Sequence, residues 1–244
     1  MQRALFISDA HLGATPPHSL PDREQRLIAL LQKERKTLSH LFILGDLFEF
    51  WMEYRWFIPK SSFRLLSLFQ QLHDEGVEIH FFAGNHDFNL GSFFSEQLGM
   101  ICHTSSSVVE LQGKKIWIAH GDGLAQKDRS YRLLKRVLTH PLSNWLWKLL
   151  HPDLGMAIAL WVGRKSRLRA FDPEEAKRVY CRIAQEIISR EGVDAVVMGH
   201  THLAMIEPLN GGLFVNSGEW LFDPSWIMLE EGEFRVEKWS DPTA

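Results

Sequence analysis

Five short segments of this chain carry side chains that could together hold metal ions: Asp9-Ala10-His11, Gly45-Asp46, Gly84-Asn85-His86-Asp87, His120-Gly121 and Gly199-His200-Thr201-His202. From them come Asp9, His11, Asp46, Asn85, His120, His200 and His202: two carboxylates, one amide and four imidazoles. That mixture suits a borderline cation such as Mn²⁺, Fe²⁺ or Zn²⁺ better than Ca²⁺ or a lone Mg²⁺. Two such ions roughly 3.5–4 Å apart can clamp the attacking and leaving oxygens of a phosphoryl displacement. Asp9 and His11 are two residues apart, a spacing that projects both side chains to one face of an extended chain. His200 and His202 repeat that spacing. Asp46 offers two oxygens that could bridge two ions. A lone Asp-x-His is most often a surface coincidence and a lone Gly-Asp says less still; Gly-Asn-His-Asp is more specific, and Gly-His-Thr-His after an apolar strand stronger again. All five in this order, each after a strand-like run, are not chance.

The elements that must position these residues are legible as patterns. Ala4–Ser8, Ser39–Leu44 and Val77–Ala83 read as buried strands that end at Asp9, Gly45-Asp46 and Gly84-Asn85. Between them, helices start at Pro21-Asp22 and run from about Ser61 to Glu75, where Gly76 stops the second. Strand, helix, strand, helix, strand is the signature of a mostly parallel sheet, whose ligands gather beyond the carboxyl ends of its strands. Val108–Leu111 and Lys115–Ala119 flank Gln112-Gly113 as a hairpin. Next comes a long insert, about 124–170. Asp172 and Pro173 then cap a helix. Asp194–Met198 is another buried strand, ending at Gly199-His200. Leu203–Glu207, Leu213–Asn216, Trp226–Leu229 and Phe234–Trp239 read as antiparallel strands.

Bulk properties exclude several classes. The 244 residues fit one large α/β domain, and the net charge of −3 gives no general attraction for nucleic acid. Two cysteines, Cys102 and Cys181, make neither a disulfide framework nor a zinc ribbon. No apolar run is long enough for a transmembrane helix, and Leu5-Phe6-Ile7 is too short for a signal peptide, so a cytoplasmic protein is expected. Nothing in the sequence demands an obligate protein partner. The remaining histidines (His18, His40, His73, His80, His103, His140, His151) are expected to pack or face solvent.

The five segments resemble those of the calcineurin-like metallophosphoesterase superfamily, over Phe6 to about Trp220. The resemblance implies a sandwich of mixed β-sheets flanked by helices, one domain over 1–244 with a helical lid over 124–170. It implies one metal on Asp9, His11, Asp46 and His202, and a second on Asp46, Asn85, His120 and His200. It makes His86 the catalytic histidine, with Asn85 beside it and Asp87 in support. Phe6-Ile-Ser-Asp-Ala-His-Leu-Gly13, Ile43-Leu-Gly-Asp-Leu-Phe-Glu-Phe-Trp51, Phe82-Ala-Gly-Asn-His-Asp-Phe88 and His120-Gly-Asp-Gly123 look more closely like UDP-2,3-diacylglucosamine diphosphatases. Those Mn²⁺ enzymes release UMP and 2,3-diacylglucosamine 1-phosphate in lipid A synthesis. By the same resemblance Asp128, Arg164, Lys165 and Ser166 join Asn85, His86 and His200 as substrate contacts. In one departure, well-known diphosphatases carry arginine where this chain has His86, which matches the wider superfamily. The alternative within catalysis is a soluble nucleotide pyrophosphatase or phosphodiesterase.

The insert carries its own signal. From Tyr131 to Arg169 its basic residues are Arg132, Lys135, Arg136, Lys148, Arg164, Lys165, Arg167 and Arg169, against Asp153 alone. Trp145, Trp147 and Trp161 lie among leucines there. The bland reading is a helical insert packed on its own domain. The functional reading is a lid that shelters acyl chains and rests peripherally on the cytoplasmic face of the inner membrane.

Overall fold

A computed structural model describes residues 3–15, 19–125, 129–166 and 172–240, without the side chains of 129–131 and 165–166. Two sheets face each other. The first has six strands: β1 (Arg3–Ile7), β2 (Leu38–Ile43), β3 (Glu78–Phe82), β4 (Ile101–His103), β10 (Ser225–Glu230) and β11 (Glu233–Lys238), in the order β11-β10-β1-β2-β3-β4. The second has five: β5 (Ser107–Leu111), β6 (Lys114–Ile118), β7 (Ala195–Met198), β8 (Met205–Leu209) and β9 (Gly212–Asn216), in the order β5-β6-β7-β9-β8. β1 to β4 are parallel, as are β6, β7 and β9. The chain is thus a mixed α/β sandwich rather than one parallel sheet with an antiparallel tail. β10 pairs antiparallel with β1 and carries the C-terminal hairpin into the first sheet.

Alternation within each strand builds the layers. Phe6, Phe42 and Phe82 point between the sheets and meet Ile118, Val197 and Val215 there. Leu5, Ile7, Leu41 and Ile43 point the other way, onto helices α1 (Arg23–Glu34) and α2 (Phe63–Asp74). Helix α7 (Pro173–Glu191) covers the outer face of the second sheet with Tyr180, Ala184, Ile187 and Ile188. It starts as expected: Asp172 accepts from the backbone N–H groups of Glu174 and Glu175, with Pro173 in the first position.

Two short elements leave no clear pattern in the sequence, β4 and helix α3 (Phe93–Glu96). The strand expected over Leu203–Glu207 begins at Met205, because the chain from Gly199 to His202 is spent on a tight turn closed by Thr201 N–H on the Gly199 carbonyl at 2.7 Å. His80 packs as expected, hydrogen-bonded to His103 at 3.0 Å and stacked on Phe42.

The insert contains helices α4 (Arg129–Leu138), α5 (Pro141–Lys148) and α6 (Pro152–Ser166). Among the described residues no helix is long and apolar enough to cross a membrane.

Candidate metal centre

The five segments converge at one end of the sandwich. β1, β2, β3, β6 and β7 each stop at this edge, and the chain turns sharply as it leaves them. Asp9, His11, Asp46, His200 and His202 all sit in the left-handed region, with φ of 53°, 44°, 52°, 66° and 58°. Among the described residues the only other non-glycine cases are Gln112 and Glu231, in hairpin turns. Left-handed backbone costs a non-glycine residue of order 1–3 kcal/mol and clusters at functional sites. The Asp9–His11 pair is therefore not extended chain, and a shared strand face does not explain its spacing. Each turn instead swings its side chain inward. Gly45, at φ 93°, lets the β2 loop lie against the β3 loop: a Cβ there would stand 2.8 Å from both Gly84 Cα and His120 Nδ1.

Asp9 is fully buried. Its Oδ2 accepts from Ser8 Oγ and from the backbone N–H of His200 at 2.9 Å. Its Oδ1 receives no well-aligned hydrogen bond and faces His202 Nε2 at 3.2 Å and His11 Nε2 at 3.9 Å. Burial would raise Asp9, but the imidazoles of His202, His120 and His11 hold it below the usual carboxylate range. Asp46 Oδ1 accepts from the backbone N–H of His86 at 2.8 Å. Its Oδ2 lies 3.8 Å from His11 Nε2 and 3.6 Å from His120 Nε2. The His120 ring is fixed by Nδ1–H donation to the Leu44 carbonyl at 2.7 Å, which leaves Nε2 as the inward atom, 3.1 Å from Asn85 Oδ1. Burial would lower His120, yet Asp46 and Asp9 push it up to about 9.

Ligand atoms of Asp9, His11 and His202 lie within 4.8 Å of one another, as do those of Asp9, Asp46 and His120, and of His11, Asp46 and His86. These largely buried Asp/His clusters share members, an arrangement consistent with a binuclear divalent-metal centre. The orphaned Asp9 oxygen and the inward His120 nitrogen are what such ions would satisfy. His200 and His202 part company. His200 faces His120, ring centres 5.1 Å apart, and His202 tilts toward His11 at 5.5 Å. Burial and the charge of His120 lower His200 to about 4, so it stays neutral and able to coordinate.

Asp87 lies beneath the loop rather than beside the His86 ring. Its Oδ1 accepts from the N–H groups of Asp46 (2.9 Å) and Gly84 (3.0 Å), and its Oδ2 from Leu47 (2.8 Å) and Phe48 (3.3 Å). The residue that flanks His86 is Glu49. Its carboxylate lies 3.6 Å from His86 Nδ1 and 3.3 Å from His11 Nδ1, and its backbone carbonyl is 3.0 Å from His86 Nδ1. Glu49 escaped the motif reading, although a glutamate buried in the aromatic run Leu47–Trp51 is the sort of exception that flags a site. Asn216 escaped it too: buried, it donates to the Gly199 carbonyl (2.6 Å) and Thr201 Oγ1 (3.0 Å), fixing the turn that carries both histidines.

The insert reaches the site through α6. Gly163 is buried so closely over Glu49 that a Cβ would overlap Oε1, and it would stand 3.7 Å from His86. Arg164, the next residue, is exposed. Asp128 and the side chains of Lys165 and Ser166 lie outside the described residues. Phe50 packs on Trp147 of α5, ring centres 5.4 Å apart.

The calcineurin-like phosphoesterase family matches residues 2–204. A UDP-2,3-diacylglucosamine hydrolase of Porphyromonas gingivalis is 36% identical over 217 residues, 81% of this chain and 82% of that protein. One of Aeromonas salmonicida is 30% identical over 98% of this chain and 94% of its own. A solved archaeal phosphodiesterase, 16% identical, superposes with a TM-score of 0.50 over 97% of this chain and 99% of that one, a likeness of fold. Buried carboxylates and imidazoles with inward-facing ligand atoms, on this sandwich and with these relatives, make the chain a metal-dependent hydrolase that belongs to the calcineurin-like phosphoesterase family, closely related to its UDP-2,3-diacylglucosamine hydrolases.

Proposed function

We propose that this chain hydrolyses the pyrophosphate bond of UDP-2,3-diacylglucosamine, giving UMP and 2,3-diacylglucosamine 1-phosphate for lipid A synthesis. The relatives' names suggest the substrate. The observation that carries it in this chain is the insert, which presses Gly163 onto Glu49 while leaving large apolar side chains in solvent. Trp145 and Trp161 are each 57% exposed, and Leu149 64%. Leu133, Leu134, Val137, Leu142, Leu146 and Val162 are exposed with them. A patch of this kind marks a surface for lipid or another partner rather than a helical cover packed on its own domain.

In this reading Asp9, His11, Asp46 and His202 hold one ion, and Asp46, Asn85, His120 and His200 the other, with Mn²⁺ the preferred cation. When bound, the two cations lower the pKa of a water and neutralise charge on the phosphoryl oxygens. Asp46 is aimed by the His86 N–H and by its own left-handed turn. His86, held through Nδ1 at the Glu49 carbonyl, presents Nε2 to the leaving oxygen to stabilise its charge or protonate it. Arg164, Lys165, Ser166 and Asp128 contact the substrate from the insert. The apolar helices rest on the cytoplasmic face of the membrane, with the basic residues toward anionic headgroups.

The test compares turnover of UDP-2,3-diacylglucosamine, an unacylated UDP-sugar and a chromogenic phosphodiester by the Mn²⁺-loaded protein. Strong preference for the acylated compound is expected. Equal or faster turnover of the unacylated ones would sink the lipid reading in favour of a soluble nucleotide pyrophosphatase or phosphodiesterase, the reading that His86 in place of arginine supports.

A further inference from the structure

Beside the metal-ligand loops, on the side of His120 and Asn85, lies a cavity of about 550 Å³. Its inner wall is Ala83, Asp122 and Gly123, the chain neighbours of Gly84-Asn85 and of His120-Gly121. Its outer wall is helix α4, which presents Arg132, Lys135 and Arg136 to it. Residues spaced i, i+3 and i+4 share one helical face. Two of these cations also tie the helix down. Arg132 Nη1 donates to the carbonyls of Gly123 and Ala125, each at 2.9 Å, and Lys135 Nζ pairs with Asp122 at 2.5 Å. Three cations against one carboxylate leave the wall positive. Phe88, Asn89 and Asn144 also line it.

We propose that this cavity binds the nucleoside monophosphate half of the substrate, while the acylated half runs toward the exposed apolar side chains of α5 and α6. The inference rests on the UDP-sugar reading for the identity of the base. The volume falls in the range of small-molecule sites and exceeds what a free phosphate would fill. Phe88 offers a ring face for the base, and the amides of Asn89 and Asn144 offer both donors and acceptors to the edge of a pyrimidine. Arg136, on the same face as the two anchoring cations, meets the phosphate with a bidentate fork. The two halves then leave on different sides of the site, because α6 meets Glu49 and His86 through Gly163 while the basic cavity lies against Asp122.

The test photolabels the full-length Mn²⁺-loaded protein with 5-azido-UMP and maps the adduct by peptide mass spectrometry. Label on Phe88–Asn89 or on 132–144, displaced by UMP better than by uridine or inorganic phosphate, is expected. Label on 173–177 or 203–205, which line a second cavity of about 340 Å³ beside His202, would overturn the proposal. Calorimetric titration with UMP should show about a tenfold or larger loss of affinity in Arg136→Glu, and a smaller loss in Arg136→Gln, with the melting temperature reporting that each variant folds. UMP bound as tightly by both variants as by the parent would also overturn it. Neither readout needs turnover, so failure to hydrolyse UDP-2,3-diacylglucosamine would strike the proposed function and leave the cavity to be judged on labelling and affinity.

Discussion

Replacing Asp87 by asparagine should destabilise the metal-loaded protein by about 2–6 kcal/mol, a figure set by a count of donors. Four backbone N–H groups, those of Asp46, Gly84, Leu47 and Phe48, point at the two oxygens of one buried carboxylate. Asparagine keeps one oxygen and so keeps two donors. Its NH₂ then faces the other two, and each orphaned buried donor costs about 1–3 kcal/mol. The least costly orientation sacrifices the pair that includes the longer 3.3 Å bond from Phe48, which puts the centre near 3 kcal/mol. For a chain of this size that corresponds to a fall in melting temperature of about 6–12 °C. An opposing effect is present. Burial and the neighbouring Asp46 push Asp87 up to about 7, so without metal and below that pH it carries a proton and already offers a donor. Asparagine mimics that state. The loss should therefore be smaller in metal-free protein near pH 6 than in loaded protein near pH 8, where cations on Asp46 keep Asp87 ionised. Calorimetric melts at the two conditions measure it. Asp87→Ala, which orphans all four donors, should be worse than Asp87→Asn. A loaded Asp87→Asn protein melting within about 2 °C of the parent would refute the donor count, as would equal effects from the two substitutions.

Gly163→Ala should cut turnover about tenfold or more while leaving the melting temperature nearly unchanged. The added methyl displaces Glu49 from between His11 and His86, yet alanine favours the helix by about 1 kcal/mol; full activity would show that α6 does not bear on the site. Metal loading near pH 7.5 should release at least one proton, because His120 is charged there without metal and must lose that proton to coordinate, and His202, which burial would lower but Asp9 raises, adds to the count. Calorimetry in buffers of different ionisation enthalpy reads that number, and zero would refute it. The same raised His120 gives the metal-free fold stability that is fully present below its ordinary 6.5 and is lost as pH rises through about 9, so metal-free melting temperatures should fall across that window. Trp145→Ser with Trp161→Ser should weaken sedimentation with anionic vesicles by about tenfold or more, since somewhat over half of each ring's roughly 150–250 Å² is still exposed and free to be buried; undiminished binding would place the membrane contact elsewhere.

Much of the site was legible in the sequence because metal ligands must be particular residue types and because strands announce themselves. Asp9, Asp46, Asn85, His120 and Gly199-His200 each come directly after a buried apolar run, and such a run in an α/β chain delivers the next few residues to a sheet edge. The basic, tryptophan-bearing insert was legible as composition. Other features depended on residues far apart in the chain. The pairing of β10 with β1 joins residues more than two hundred positions apart, and no local pattern encodes it. The partners of Asp87 are backbone groups, which carry no residue type, so its place under the Asp46 loop is invisible in a motif. Glu49 takes its role from His11, His86 and Gly163, three residues brought together from three elements. The left-handed turns at Asp9, His11, Asp46, His200 and His202 arise because the surrounding packing holds the chain where its own preference would not. Sequence by itself therefore determined which residue types could serve as ligands and that their segments would reach one sheet edge. Only the tertiary structure decided which atoms face one another, because that depends on strained backbone and on neighbours that local preference does not select.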